Sequence, residues 1–176
     1  MKFEKIVLLV ALLATPLFVK CQTQKKDNIE VWQNSSGSIS ISHPKDWIKW
    51  ELNSGEVVAF VTPKDGPDDR FPDMLVLRES VNYMNQSLQD LEESAKRDIK
   101  QQPNMELVSS EQVKVGNYTA LKTIMDQVTG DELRLINYTY TIGDKIYLLS
   151  LSIEKRNFDR FKSIGEASAK SLKVEQ

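Results

Sequence analysis

The 176-residue chain is poor in the residues that most often carry chemistry: it has one cysteine, Cys21, and one histidine, His43. A lone cysteine closes no intramolecular disulfide, and without a C-x-x-C pair there is no dithiol. One histidine without partners builds neither a catalytic triad nor a metal cage. The G-x-S-x-G elbow, the phosphate-binding loop and H-E-x-x-H are absent. A formal net charge of −2 gives no electrostatic case for nucleic acid and no basic face for anionic lipid. There is no internal repeat, no long low-complexity tract and no apolar run after the N-terminus that would cross a hydrocarbon core of about 30 Å.

What is present begins with the leader. Lys2 and Lys5 lead into Ile6-Val7-Leu8-Leu9-Val10-Ala11-Leu12-Leu13-Ala14, which Thr15-Pro16 interrupts before Leu17-Phe18-Val19-Lys20-Cys21-Gln22. A positive start, a short apolar middle and a small residue at a polar beginning form a secretory signal peptide, here residues 1–21. Export to the periplasm or the extracellular space is therefore expected. Two routes of processing stay open. Cleavage after Cys21 makes Gln22 the first residue, where it can cyclise. Lipidation instead makes Cys21 the first residue of an anchored protein, although Lys20 stands where such signals usually carry Gly, Ala or Ser. Membrane contact is expected only through the leader or such a lipid. On either route the mature domain has no thiol, and a domain of this size can bury a core without a disulfide. Lys2, Lys5 and Lys20 against Glu4 make the leader basic, so the remainder is more acidic than the whole. Residues 22–30 are polar and read as a flexible tether, leaving 31–176 as one domain.

Within that domain, Ser38-Ile39-Ser40-Ile41-Ser42 alternates as a half-buried strand does. His43-Pro44-Lys45-Asp46 reads as a turn, and the alternation of Trp47 to Leu52 predicts a hairpin with Ile48, Trp50 and Leu52 on one face. Val57 to Val61 is apolar on both faces and reads as a covered central strand. Residues 63–73 carry three prolines and four aspartates and predict an exposed loop. Met74 to Glu79 returns to strand. Ser87 and Asp90 predict the capped start of a helix with Leu88, Leu91, Ala95 and Ile99 on one stripe, stopped by Pro103. Strands follow over 105–115, 118–128, 133–140 and 145–153, turned at Gly116-Asn117, Thr129-Gly130-Asp131 and Gly143-Asp144. Asn157 reads as the cap of a closing helix with Phe158, Phe161, Ile164 and Leu172 as its stripe. Gly165 inside it is unfavourable by about 1 kcal/mol against alanine, so packing must require it. Short links between strands predict a mainly antiparallel sheet with segregated helices, an α+β domain.

This order, with Ile39-Ser40-Ile41-Ser42-His43-Pro44-Lys45-Asp46-Trp47 near the front and a strand hairpin and helix at the end, resembles the PsbP-like superfamily of PsbP and DcrB-type exported bacterial proteins. The resemblance covers about residues 30–174. It implies a curved antiparallel sheet with helices on both sides, an α/β/α sandwich. It also implies a non-enzymatic binding or assembly module, with no shared catalytic residue and no cofactor to carry over.

The candidate sites are few. His43, beside Pro44 at a strand end, reads as a turn or surface residue. Asp65, Asp68, Asp69 and Asp73 lack the alternate spacing of a calcium loop and read as a solvated acidic segment. Trp50 is expected in the core, Trp47 on the Pro44 turn, and Trp32 as the most exposed of the three. Trp32 with Asp68, Asp69 and Arg70 is the candidate interaction surface. Asn34, Asn85, Asn117 and Asn137 open N-x-S/T triplets and read as surface asparagines. Tyr138, Tyr140 and Tyr147 read as cross-strand pairs. The expected function is an exported envelope module that binds a protein or small ligand. The alternatives are a small-molecule carrier with a cavity between sheet and helix, and a hydrolase whose carboxylates converge in a cleft.

Overall fold

The computed structural model describes residues 28–50, 56–64, 71–130 and 132–175. Cys21, Gln22, Asp65, Asp68, Asp69 and Arg70 lie outside them. The elements are β1 (Ile29–Gln33), β2 (Ile39–Pro44), β3 (Ile48–Lys49), β4 (Glu56–Val61), β5 (Met74–Val81), α1 (Leu88–Lys100), β6 (Met105–Val115), β7 (Tyr118–Gln127), β8 (Leu133–Ile142), β9 (Lys145–Glu154), α2 (Phe158–Ser171) and β10 (Lys173–Val174). A 3-10 turn, Lys155–Asn157, joins β9 to α2.

Seven strands form the main sheet in the order β3-β4-β5-β9-β8-β7-β6, and β1-β2-β10 form a smaller one. Every pairing is antiparallel. β6 to β9 are a meander, with Gly116 and Gly143 at positive φ in two of its turns. That left-handed region suits glycine, which has no Cβ to clash. β5 then pairs with β9 across a long stretch of sequence, Leu75 opposite Leu151 and Leu77 opposite Leu149.

The period of two divides the main sheet into unlike faces. Phe60, Leu75, Leu151, Ile136, Leu149, Tyr138 and Tyr140 fall on one face by register, and all are buried. β2 and α2 cover them: His43 stacks on Phe60 and the Tyr140 hydroxyl donates to Ala169 O, 3.1 Å. The opposite face carries Thr123, Asn137, Ser150 and Val76 in one row. α1 packs there, with Ile99 buried and Glu92 accepting a hydrogen bond from Ser110. Helices thus lie on both sides of an antiparallel sheet. The capping box at Ser87 is complete, Ser87 Oγ accepting from Asp90 N and Asp90 accepting from Ser87 N.

Four expectations are corrected. The stretches 38–42 and 47–52 are not a hairpin: β2 pairs with β1 and β10, and β3 pairs with β4 in the other sheet. Trp47 is the core tryptophan, 6% exposed, with its ring edge-on to Phe161 at 5.7 Å. Trp50 is 53% exposed, beside an exposed Ile48. The turn ends at Trp47 rather than before it, so Trp47 faces inward and the alternation restarts one residue later. Asn157 does not cap α2 with its side chain; its amide donates to Asp73 instead. β1 begins at Ile29, inside the expected tether, because its backbone pairs along β2.

Candidate binding surface

The described sequence-chosen residues are mostly structural. Trp32 is half-buried against the core, with Lys49 Nζ 5.9 Å from its ring centroid; it is not the most exposed tryptophan. His43 is buried rather than a surface turn residue. Its ring is stacked 3.8 Å from that of Phe60, and Nδ1 lies 2.9 Å from Pro44 O. Asp73 is buried and accepts from Glu154 N and Asn157 Nδ2, so it fastens the start of β5 to the end of β9. Tyr138 and Tyr140 pair across the sheet with Leu149 and Tyr147. Among the N-x-S/T asparagines, Asn34 accepts from Ile39 N in a turn, and Asn137 Oδ1 is buried under α1 without a partner.

The charged groups with moved pKa values are also accounted for by local contacts. Asp126 is buried and held below the usual carboxylate range by hydrogen bonds from Arg134, against the opposing effect of burial, with Lys155 adding to the shift. The Arg134 fork is bidentate, 2.7 and 2.9 Å. Glu92 is lowered chiefly by Lys96 and then Ser110. Asp90 is lowered by its capping bonds to Ser87. The carboxylates whose values move are thus all lowered, each by named hydrogen-bond partners. Among the described residues no group of three or more His, Cys, Asp or Glu could hold a metal ion.

The conspicuous surface feature was not singled out by the sequence pattern. Tyr83 is 87% exposed and Met84 83%, the two most exposed large apolar side chains among the described residues. They sit side by side on the link between β5 and α1, and that link is fastened. Asn82 donates through Nδ2 to Gln86 O and accepts at Oδ1 from Gln86 N, 3.0 and 2.8 Å. Its backbone N donates to Asp144 O, and Asn85 N donates to Asn82 O. Asn85 takes φ +48°, a left-handed conformation that asparagine tolerates better than most residues. The Ser87 cap follows at once. The loop thus holds two large apolar groups in water by a fixed set of backbone and amide bonds. The signal was available: Tyr83-Met84 are two bulky residues between asparagines, where turn chemistry would place polar ones.

The sheet–helix interior offers little room for a carrier. Gly165 presses on Leu151 and Tyr140 is fully buried under α2. An open cleft of about 500 Å3 lies between the end of α1 and β6, floored by Ile99, Pro103, Met105 and Leu107 and rimmed by Lys96 and Lys100. No described helix is long and apolar enough to cross a membrane.

An antiparallel sheet between helices defines an α+β sandwich. Residues 18–167 match the family model described as PsbP-like protein, and the chain belongs to that family. Solved structures agree in fold. The cyanobacterial PsbP, CyanoP, of Synechocystis sp. PCC 6803 superposes with a TM-score of 0.65 at 18% identity, covering 90% of this chain and 99% of its own. LpqN of Mycobacterium tuberculosis, described as involved in cell envelope biogenesis, gives 0.62 at 12% identity over 85% and 93%. PA94 of Pseudomonas aeruginosa, of unknown function, gives 0.59 at 12% identity over 85% and 99%. No curated protein sequence matches the chain.

Proposed function

We propose that the chain is an exported, non-enzymatic binding module of the bacterial cell envelope, and that it meets a protein partner through the Tyr83–Met84 tip. The observation that carries this reading is the fastened exposure of the two side chains. Export follows from the leader over residues 1–21, with Cys21 as either the last residue removed or a lipidated first residue. The envelope setting is supported by the likeness to LpqN. A protein is favoured over a lipid surface because Asp144 and Asp90 stand at the two ends of the loop while Glu79 and Lys145 neutralise each other, and acids oppose docking on anionic headgroups. Two large apolar groups entering a preformed pocket are the usual anchors of a binding hot spot.

The test places a photocrosslinking residue at position 83 of the full chain in its native host. A discrete protein adduct is expected. It should be competed by excess wild-type domain and not by the Tyr83→Ser/Met84→Ser domain. Adducts to lipid alone, or competition by both domains equally, would remove the assignment. Intact mass of the mature protein reports the processing at Cys21 and Gln22 separately.

A further inference from the structure

A second concavity lies on the other flank of the molecule and shares no residue with the Tyr83–Met84 tip. It is a groove of about 200 Å3 between β6, β7 and β8 and the C-terminal half of α2. Its base is Tyr138. Four tyrosines line or border this side of the sheet, and three have partners for their hydroxyls. Tyr118 donates to Val174 O, Tyr140 to Ala169 O, and Tyr147 meets Glu79. Tyr138 is only 3% exposed, yet its hydroxyl makes no hydrogen bond among the described residues and opens on the groove. Among the described residues the one buried side-chain polar atom without a partner is Asn137 Oδ1, so the Tyr138 hydroxyl reaches the water of the groove and is free to donate to a ligand there.

Charge around it is unbalanced in one direction. Lys122 lies on the groove wall with Nζ 5.8 Å from the Tyr138 ring centroid and 3.9 Å from Glu166. Glu111 stands opposite Lys122 across the strand pair. Lys114 and Lys170 complete the rim. Lys114 donates only to a backbone carbonyl, Asn117 O, and Lys170 has no side-chain partner among the described residues. Three amines thus face two carboxylates, which leaves one positive charge without a counter-charge. Val113 and Val115 supply an apolar wall. Burial, with Glu166 and Glu111 nearby, pushes the Tyr138 phenol up to about 12, so it stays a donor across the physiological range.

We propose that this groove binds a small monocarboxylate, its carboxylate accepting from the Tyr138 hydroxyl and the Lys122 and Lys170 amines and its short apolar tail lying on Val113 and Val115. One negative charge fits the one uncompensated amine, a donor set of one hydroxyl and two ammoniums suits an oxyanion acceptor, and the volume limits the ligand to a few carbon atoms.

The test is an NMR titration of the full chain with butyrate, acetate and inorganic phosphate, following the backbone amides and lysine side chains. Saturable shifts confined to Lys122, Tyr138, Glu166 and Lys170 are expected with butyrate, and weaker ones with acetate. Tyr138→Phe should keep the fold, seen as unchanged spectra elsewhere, and weaken butyrate about tenfold, the effect of losing one hydrogen bond to a charged group. Lys170→Gln should weaken it too, and Lys45→Gln, on a distant turn, should not. Linear, unsaturated shifts, or equal butyrate affinity in wild type and Tyr138→Phe, would overturn the site. Phosphate binding more tightly than butyrate would overturn the carboxylate assignment. Either result leaves the docking tip untouched, because the crosslink at position 83 is read independently.

Discussion

Gly165 of α2 lies so close to Leu151 of β9 that a Cβ added to it would stand 2.8 Å from Leu151 Cδ2. Glycine in a helix is normally a loss of about 1 kcal/mol against alanine. Here it lets the helix approach the sheet, and Leu151 is too buried to swing aside. Gly165→Ala should therefore destabilise the domain by about 1–3 kcal/mol despite the better helix former. Urea denaturation measures it, and the loss should shrink when Leu151→Ala is added, since the two residues share one contact. A Gly165→Ala variant more stable than wild type would mean that the interface has slack.

The two neighbouring tryptophans should behave oppositely. Trp47→Ala removes a buried ring packed on Phe161 and should lower stability by about 3–5 kcal/mol. Trp50→Ala removes a half-exposed ring and should stay within about 1 kcal/mol of wild type. Thermal unfolding ranks them. Acrylamide quenching of single-tryptophan variants should reach Trp50 readily and Trp47 hardly at all.

Asp126 should link stability to pH. Its ordinary value is 3.8, which it regains on unfolding, and the hydrogen bonds from Arg134 hold it lower in the fold. The stabilisation is complete above the unfolded value and is lost as pH falls through the folded one. Asp126→Asn should cost about 1–3 kcal/mol at neutral pH, by leaving Arg134 and Lys155 without their acceptor. It should also flatten the decline in stability below about pH 4. Parallel denaturant curves across that range, for both proteins, give the difference.

Asn82 should matter more to docking than to folding. Asn82→Ala removes both amide bonds to Gln86 and should cost about 1–2 kcal/mol. Its larger consequence is that Tyr83 and Met84 lose their fixed presentation. Amide exchange over residues 83–86 should quicken, and crosslinking from position 83 should fall although both apolar side chains remain. Unchanged exchange would show that the Ser87 cap alone holds the loop.

Much of the fold was legible because period and capping are local. The strand alternation from Leu133 to Ile153 gave β8 and β9 their faces, and Ser87-x-x-Asp90 placed the start of α1 to the residue. Gly165, read as a glycine that packing must require, proved to be one. Partner choice was not legible. Period two says which face a side chain takes and nothing about which strand lies alongside, so β2 and β3 looked like a hairpin although they belong to different sheets. His43 continues the inward parity of Ile39 and Ile41, and that parity outweighs the proline after it. The groove at Tyr138 could not be read from sequence, because its lysines come from two strands and a helix that only tertiary packing brings together.

The sheet also dictates when this polypeptide can become itself. Met74–Val81 has Glu56–Val61 on one side, but its other neighbour, Lys145–Ser152, comes far later in the chain, and the first strands are sealed by Lys173–Val174, laid against Ile39 and Ser40. Ribosomal emergence runs one way and ladder closure waits for the tail, so nearly the whole sequence must be made before the two halves can lock. Such delayed, non-local closure is slow by nature.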